Sequence, residues 1–229
     1  MLLEICTNSY QSAINAQDAG AHRIELCQEL AVGGITPSYG VIKQVITELD
    51  IATHVLIRPR SGNFVYSEAE FEIMKQDIEI CKKLGVNGIV SGILNENGTI
   101  DVVRTNDLLE LAKPMTFTFH RAFDEVVNPY ESLEQLIDLG VERVLSSGQK
   151  MTATEGIELL KKTKNISNGR IIIMPGSGIN ATNAKQFKME GFKEIHASAS
   201  IGLPIKTSLF SKEQTVSDVK KIKDILDAL

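Results

Sequence analysis

Several things are missing from this sequence, and each absence excludes something. No apolar run is long enough to span a bilayer, so no transmembrane helix is expected. The opening Met1-Leu2-Leu3-Glu4-Ile5-Cys6 has no basic start followed by an apolar run, so no signal peptide is expected either. There is no surplus of positive charge: net charge is −5 and the pI is about 5.5, which argues against a broad basic surface for nucleic acid. The one dense basic stretch, Lys220, Lys221 and Lys223, is interleaved with Asp218, Asp224 and Asp227 and reads as a solvated face. Cysteines number only 3 in 229 residues, too few and odd, so no disulfide framework is expected and a reducing cytoplasm fits best. No Pro-, Ser- or Gly-rich linker divides the chain, so residues 1–229 are read as one domain.

What is present is an internal repeat. Gly20-Ala-His-Arg-Ile-Glu-Leu, Gly85-Val-Asn-Gly-Ile-Val-Ser, Gly140-Val-Glu-Arg-Val-Leu-Ser and Gly191-Phe-Lys-Glu-Ile-His-Ala each pair a glycine with a short strand. Glycine enters the left-handed conformation that ends a helix at little cost, so four helices stop there and four strands follow. Leu2–Cys6, His54–Arg58, Thr116–His120 and Ile171–Met174 supply four more strands. Between them lie helical stretches with readable starts: Thr36-Pro37 and Asn128-Pro129 place proline at a first turn, and Ser67/Glu70 and Thr152/Glu155 are capping boxes. Phe71, Met74, Ile78, Cys81 and Leu84 fall on one helical face. Eight such units predict a single (β/α)₈ TIM barrel, with a doubly wound open sheet as the structural alternative.

Strand alternation then sorts side chains. Ile24, Ile89, Val144 and Ile195 face the helices, while Glu25, Val90, Leu145 and His196 point inward, joined by Glu4, Cys6, Arg58 and His120. Barrel enzymes work at the C-terminal ends of their strands. His22 and His54 belong at the opposite end; His120 and His196 are at the useful one. Arg58 and Arg60 suit bidentate binding of carboxylate or phosphate, or an internal salt bridge to Glu4 or Glu25. Gly176-Ser177-Gly178 follows the seventh strand, where loop amides and the start of the next helix bind phosphate in many barrels; a tight turn is the bland reading. Cys6 and Cys27 end adjacent strands, close enough to share one soft ion such as Cu(I) or to be two small buried hydrophobes. Cys81 belongs to helix packing.

Leu3-Glu-Ile-Cys-Thr-Asn-Ser9, Arg23-Ile-Glu-Leu-Cys27, Gly33-Gly-Ile-Thr-Pro-Ser38, Ile57-Arg-Pro-Arg-Ser-Gly-Asn-Phe64, Phe119-His-Arg-Ala-Phe-Asp124, Ser147-Gly-Gln149 and Ile172-Ile-Met-Pro-Gly-Ser-Gly178 together resemble the CutC family. The resemblance implies a cytoplasmic barrel of copper homeostasis, a homodimer or larger homo-oligomer, binding Cu(I) through Cys6 and Cys27. The other reading is an enzyme for a small anionic molecule, with a phosphorylated compound as one case. There Glu25 or His120 acts as general base or acid, with Arg58 also a catalytic candidate; Arg58 and Arg60 hold the anion, and the Gly176, Ser177 and Gly178 loop binds a phosphate.

Overall fold

The computed structural model describes residues 1–204 and 214–229. Strands and helices alternate from the start: β1 (Leu2–Thr7), α1 (Tyr10–Ala19), β2 (Arg23–Leu26), α2 (Tyr39–Glu48), β3 (Ala52–Leu56), α3 (Glu68–Leu84), β4 (Gly88–Ser91), α4 (Val102–Ala112). They continue as β5 (Thr116–Phe119), α5 (Pro129–Leu139), β6 (Arg143–Ser146), α6 (Ile157–Ser167), β7 (Ile172–Pro175), α7 (Ala184–Met189) and β8 (Glu194–Ala197). A short hairpin, β9 (Ser200–Gly202) with β10 (Thr215–Ser217), precedes α8 (Val219–Asp227). No helix among the described residues is long and apolar enough to cross a membrane.

Local chemistry sets the boundaries. Helices α1, α3 and α5 end on left-handed Gly20, Gly85 and Gly140, whose amides bond back to the last turn. The Ser67/Glu70 capping box opens α3, and Asn128 with Pro129 opens α5. Two starts fall later than the sequence suggests. Helix α2 is capped by Ser38 rather than Thr36, so Pro37 lies outside it. Thr152 and Glu155 do bond reciprocally at 3.2 and 3.3 Å, but around a turn; α6 begins only at Ile157.

The strands run parallel in the order β7-β6-β5-β4-β3-β2-β1-β8, and β7 lies beside β8 to bring the sheet round. This is the (β/α)₈ TIM barrel that the repeat predicts. Ile24, Ile89, Val144 and Ile195 are wholly buried under the helices. The alternate residues fill the barrel, as parity requires. One boundary matters for the site: β3 covers Ala52–Leu56, two residues earlier than expected. Its register sets His54 inside the ladder, beside Glu25 and Gly88, and leaves Arg58 beyond the strand end.

Candidate active site at the mouth of the barrel

The C-terminal ends of the strands open into a cavity of about 810 Å³. Inward side chains make its floor, notably Cys6, Glu25, Leu56, Leu145 and His196; the loops after β3, β5 and β7 make its walls.

Beneath the floor runs a stack of paired charges. Glu4 is fully buried and meets Arg23 Nε at 2.5 Å, His196 Nδ1 at 2.8 Å and His54 Nδ1 at 3.7 Å. Arg23 reaches on to Glu194 at 2.5 Å, and Arg143 Nε lies 3.3 Å from the same carboxylate. Burial alone would raise Glu4, yet the hydrogen bond from His196 and the charge of Arg23 hold it well below the usual carboxylate range. Burial works against a charge on His196, but Cys6, Glu4 and Glu25 together raise it well above 6.5, so it is an imidazolium at neutral pH. Glu25 lies 3.4 Å from His196 Nε2; burial raises its pKa and the imidazolium moderates the rise.

The internal salt bridge considered for Arg58 is not formed. Register brings Arg23 beside Glu4, and Arg58 stands higher, past the end of β3. Its guanidinium instead donates to the carbonyls of Val32, Gly34 and Gly62 at 2.9, 2.7 and 2.7 Å. Among the described residues no carboxylate pairs with it, although it is 5% exposed and lines the cavity. Arg60 turns away: it pairs with Glu70 at 2.5 Å and with the carbonyls of Asn63 and Val65, outside the cavity wall. It closes the loop before α3 and is not part of the mouth.

His120 lines the cavity as a neutral imidazole. Burial and the nearby Arg58 charge push it down to about 3, so it stays neutral at physiological pH. His54 is also pushed to about 3, by burial in the barrel below.

In the loop after β7, a Cβ on Gly176 would meet Leu145 Cδ1 at 2.5 Å and His196 Cβ at 3.3 Å. Glycine there lets the backbone pass against His196, and its residue does not line the cavity. Ser177 and Gly178 do, both left-handed at φ 79 and 75°. Their amides and that of Ile179 meet no acceptor among the described residues. The next helix contributes nothing to the wall, because α7 starts only at Ala184, after an exposed turn. Strained backbone concentrates at this face. Of five left-handed non-glycine residues among the described ones, Glu29, Gln149, Ser177 and Ala199 follow β2, β6, β7 and β8.

Cys6 and Cys27 come within 3.7 Å, Sγ to Sγ, but do not make the two-thiol Cu(I) site expected. Cys27 is wholly buried against Leu56 and Val90 and does not reach the cavity. The hydrogen bond with Cys27, then burial and the Glu25 charge, push the Cys6 thiol up, against the thiolate that Cu(I) takes. The groups that converge with Cys6 are Glu25 and His196, whose donor atoms all lie within 4.8 Å of one another. A cation held here would meet a mixed sulfur, oxygen and nitrogen set, which does not select Cu(I). Glu4 on Nδ1 leaves His196 Nε2 facing that set, and a cation bound there would displace the proton that Nε2 carries in the imidazolium. Cys81 packs in the apolar core, as expected.

Asp124 and Arg121, absent from the candidates named from the sequence, also shape the mouth. Asp124 accepts from Ser146 Oγ at 2.6 Å, Ser147 N at 3.0 Å and Gln149 N at 3.1 Å, tying the β5 and β6 loops together. Arg121 leans on it at 2.8 Å and also lines the mouth. The signal was the segment His120-Arg121-Ala-Phe-Asp124 at a strand end.

Fold and cavity define the class: a (β/α)₈ barrel with paired titratable groups at the C-terminal ends of its strands. The CutC family model matches residues 1–201, and the chain belongs to the CutC family. A CutC family protein of Bacteroides fragilis is 43% identical over 245 aligned residues, covering 100% of this chain and 97% of that one. A solved CutC structure from Streptococcus agalactiae has a TM-score of 0.81 at 38% identity, covering 86% of this chain and 98% of that one. Thiamine phosphate pyrophosphorylase from Pyrococcus furiosus shares the fold alone: TM-score 0.64 at 16% identity, over 99% of this chain and 94% of that one.

Proposed function

We propose that the chain is an enzyme acting on a small anionic substrate held in the mouth of the barrel. Arg58 is the observation that carries this reading. A buried charge is costly unless it is paired, and this guanidinium lines the cavity with neutral neighbours and no carboxylate among the described residues. The substrate's anionic group is its missing partner. The amides of Ser177–Ile179, which meet no acceptor among the described residues, give further donors at the cavity wall. Glu25, at the cavity floor beside an imidazolium, is the acid/base group.

Melting curves with and without ~10 mM phosphate, at matched ionic strength, test the reading. For a dissociation constant on the order of 1 mM the ligand stabilises by about 1.4 kcal/mol, and the midpoint rises by about 3–6 °C. Arg58→Ala should abolish the rise; Arg58→Lys, which keeps a charge without the fork, should retain part of it. No rise in the parent, or an equal rise in both variants, contradicts the reading.

A further inference from the structure

Six buried side-chain nitrogen or oxygen atoms find no hydrogen-bond partner among the described residues. Arg58 Nε and Tyr66 Oη are two of them and stand beside each other, whereas His120 Nε2 belongs to the cavity wall with no such neighbour among the described residues. Leaving a buried donor unmet is costly, so this one at the cavity wall points to an acceptor that arrives from outside.

His120 is held in one state. Its Nδ1 accepts from the Ala122 amide at 3.2 Å, which leaves the ring proton on Nε2. The ring packs on Phe64 at 4.7 Å between centroids and on Phe119 at 6.1 Å. Phe64 also lies under the Arg58 guanidinium at 5.0 Å, so one aromatic plate carries both donors. The far side is closed by Gly92, where a Cβ would strike His120 Nδ1 at 2.7 Å. With its pKa pushed down to about 3 by burial and the Arg58 charge, the imidazole gains no proton at neutral pH. It is a fixed, neutral hydrogen-bond donor. Such a group suits an oxygen that becomes negative during a reaction, because the donor is already aimed and need not reorganise.

Resting on the anionic-substrate reading, we infer that the substrate is a carbonyl compound bearing an anionic group, and that the reaction passes through its enolate. Arg58 pairs with the anionic group and His120 Nε2–H meets the carbonyl oxygen. The Glu25 carboxylate removes the proton from the carbon next to the carbonyl. The electron pair of that C–H bond becomes the carbon–carbon double bond, and the carbonyl π pair moves to the oxygen held by His120. Return of the proton from Glu25 to carbon or oxygen completes the cycle with no oxidant, reductant or second reactant.

Exchange of the carbon-bound proton for deuterium reads this step without knowledge of the full reaction. Pyruvate, 2-oxobutyrate and dihydroxyacetone phosphate are incubated separately with the full chain in D₂O, and loss of the adjacent C–H signal is followed by proton NMR. At least one should exchange about 10²-fold faster than in buffer, with the gain lost in Glu25→Gln. His120→Gln should lower the exchange rate by about 10-fold or more. A variant that fails to fold is replaced by the parent's own His120 Nε2–H resonance, which should shift when the exchanging compound saturates the cavity. No exchange with any of the three, or exchange and resonance indifferent to His120, overturns the inference. A phosphate-induced rise in melting midpoint without exchange would leave the anion site standing and remove only the enolate step.

Discussion

Glu4→Gln is the sharpest perturbation of the charge stack beneath the cavity. The substitution keeps the shape of the side chain and removes one buried negative charge. In the parent, that carboxylate meets Arg23 at 2.5 Å, His196 at 2.8 Å and His54 at 3.7 Å. Glutamine leaves Arg23 with Glu194 alone, a carboxylate it already shares with Arg143. Removing one member of a buried ion pair costs about 3–5 kcal/mol, because the partner stays buried and unpaired. For a chain of this length each kcal/mol moves the midpoint by about 2–4 °C, so a drop of about 6–20 °C is expected. His196 should respond too. Without Glu4 on its Nδ1, its pKa should fall toward 6.5, visible as a titration of its ring resonances that the parent lacks near neutrality. Urea denaturation and ring-proton NMR on the same samples give both values. A loss under ~1 kcal/mol with an unmoved His196 would refute the view that Glu4 sustains the imidazolium.

Stability should fall on both sides of neutrality. His54 and His120 are held near 3 in the folded chain, so below pH 6.5 the unfolded chain takes up protons that the folded one refuses. Each should cost up to about 1.4 kcal/mol per pH unit, roughly 4 kcal/mol for the two between pH 7.5 and 5. His196, raised in the folded state, contributes fully below about 6.5 and loses that contribution as pH rises toward its folded value. Urea midpoints across pH 5–9 should show a maximum near neutrality, and a flat profile on the acid side would contradict the burial of the two neutral histidines. Gly176→Ala should cost about 1–3 kcal/mol, since the new methyl meets Leu145 and His196. It should also weaken phosphate binding; an unchanged melting curve would mean that the loop has room.

The architecture was legible because it is repetitive and local. The glycine after each of three helices, the Ser67/Glu70 box and the parity of Ile24, Ile89, Val144 and Ile195 depend on residues near in sequence. Parity also put Glu25 and His196 inside. Which charges pair was not legible, because it depends on stagger. The end of β3, two residues earlier than expected, decided between the two readings of Arg58, leaving it at the mouth and Glu4 to Arg23. Arg60 was lost to Glu70, a residue already noted for capping but not as a competitor. The thiols of Cys6 and Cys27 are adjacent as the strand ends suggested; burial of one and the acidic neighbour of the other could not be read from spacing.

The central claim is that Arg58 receives the anionic group of a substrate in this cavity. Diffraction from crystals soaked in phosphate tests it most directly. The account predicts a tetrahedral ion in the mouth, within hydrogen-bond distance of the Arg58 guanidinium and of amides from Ser177–Ile179. A mouth filled only with water at saturating phosphate, with Arg58 still bonded solely to the carbonyls of Val32, Gly34 and Gly62, would contradict it.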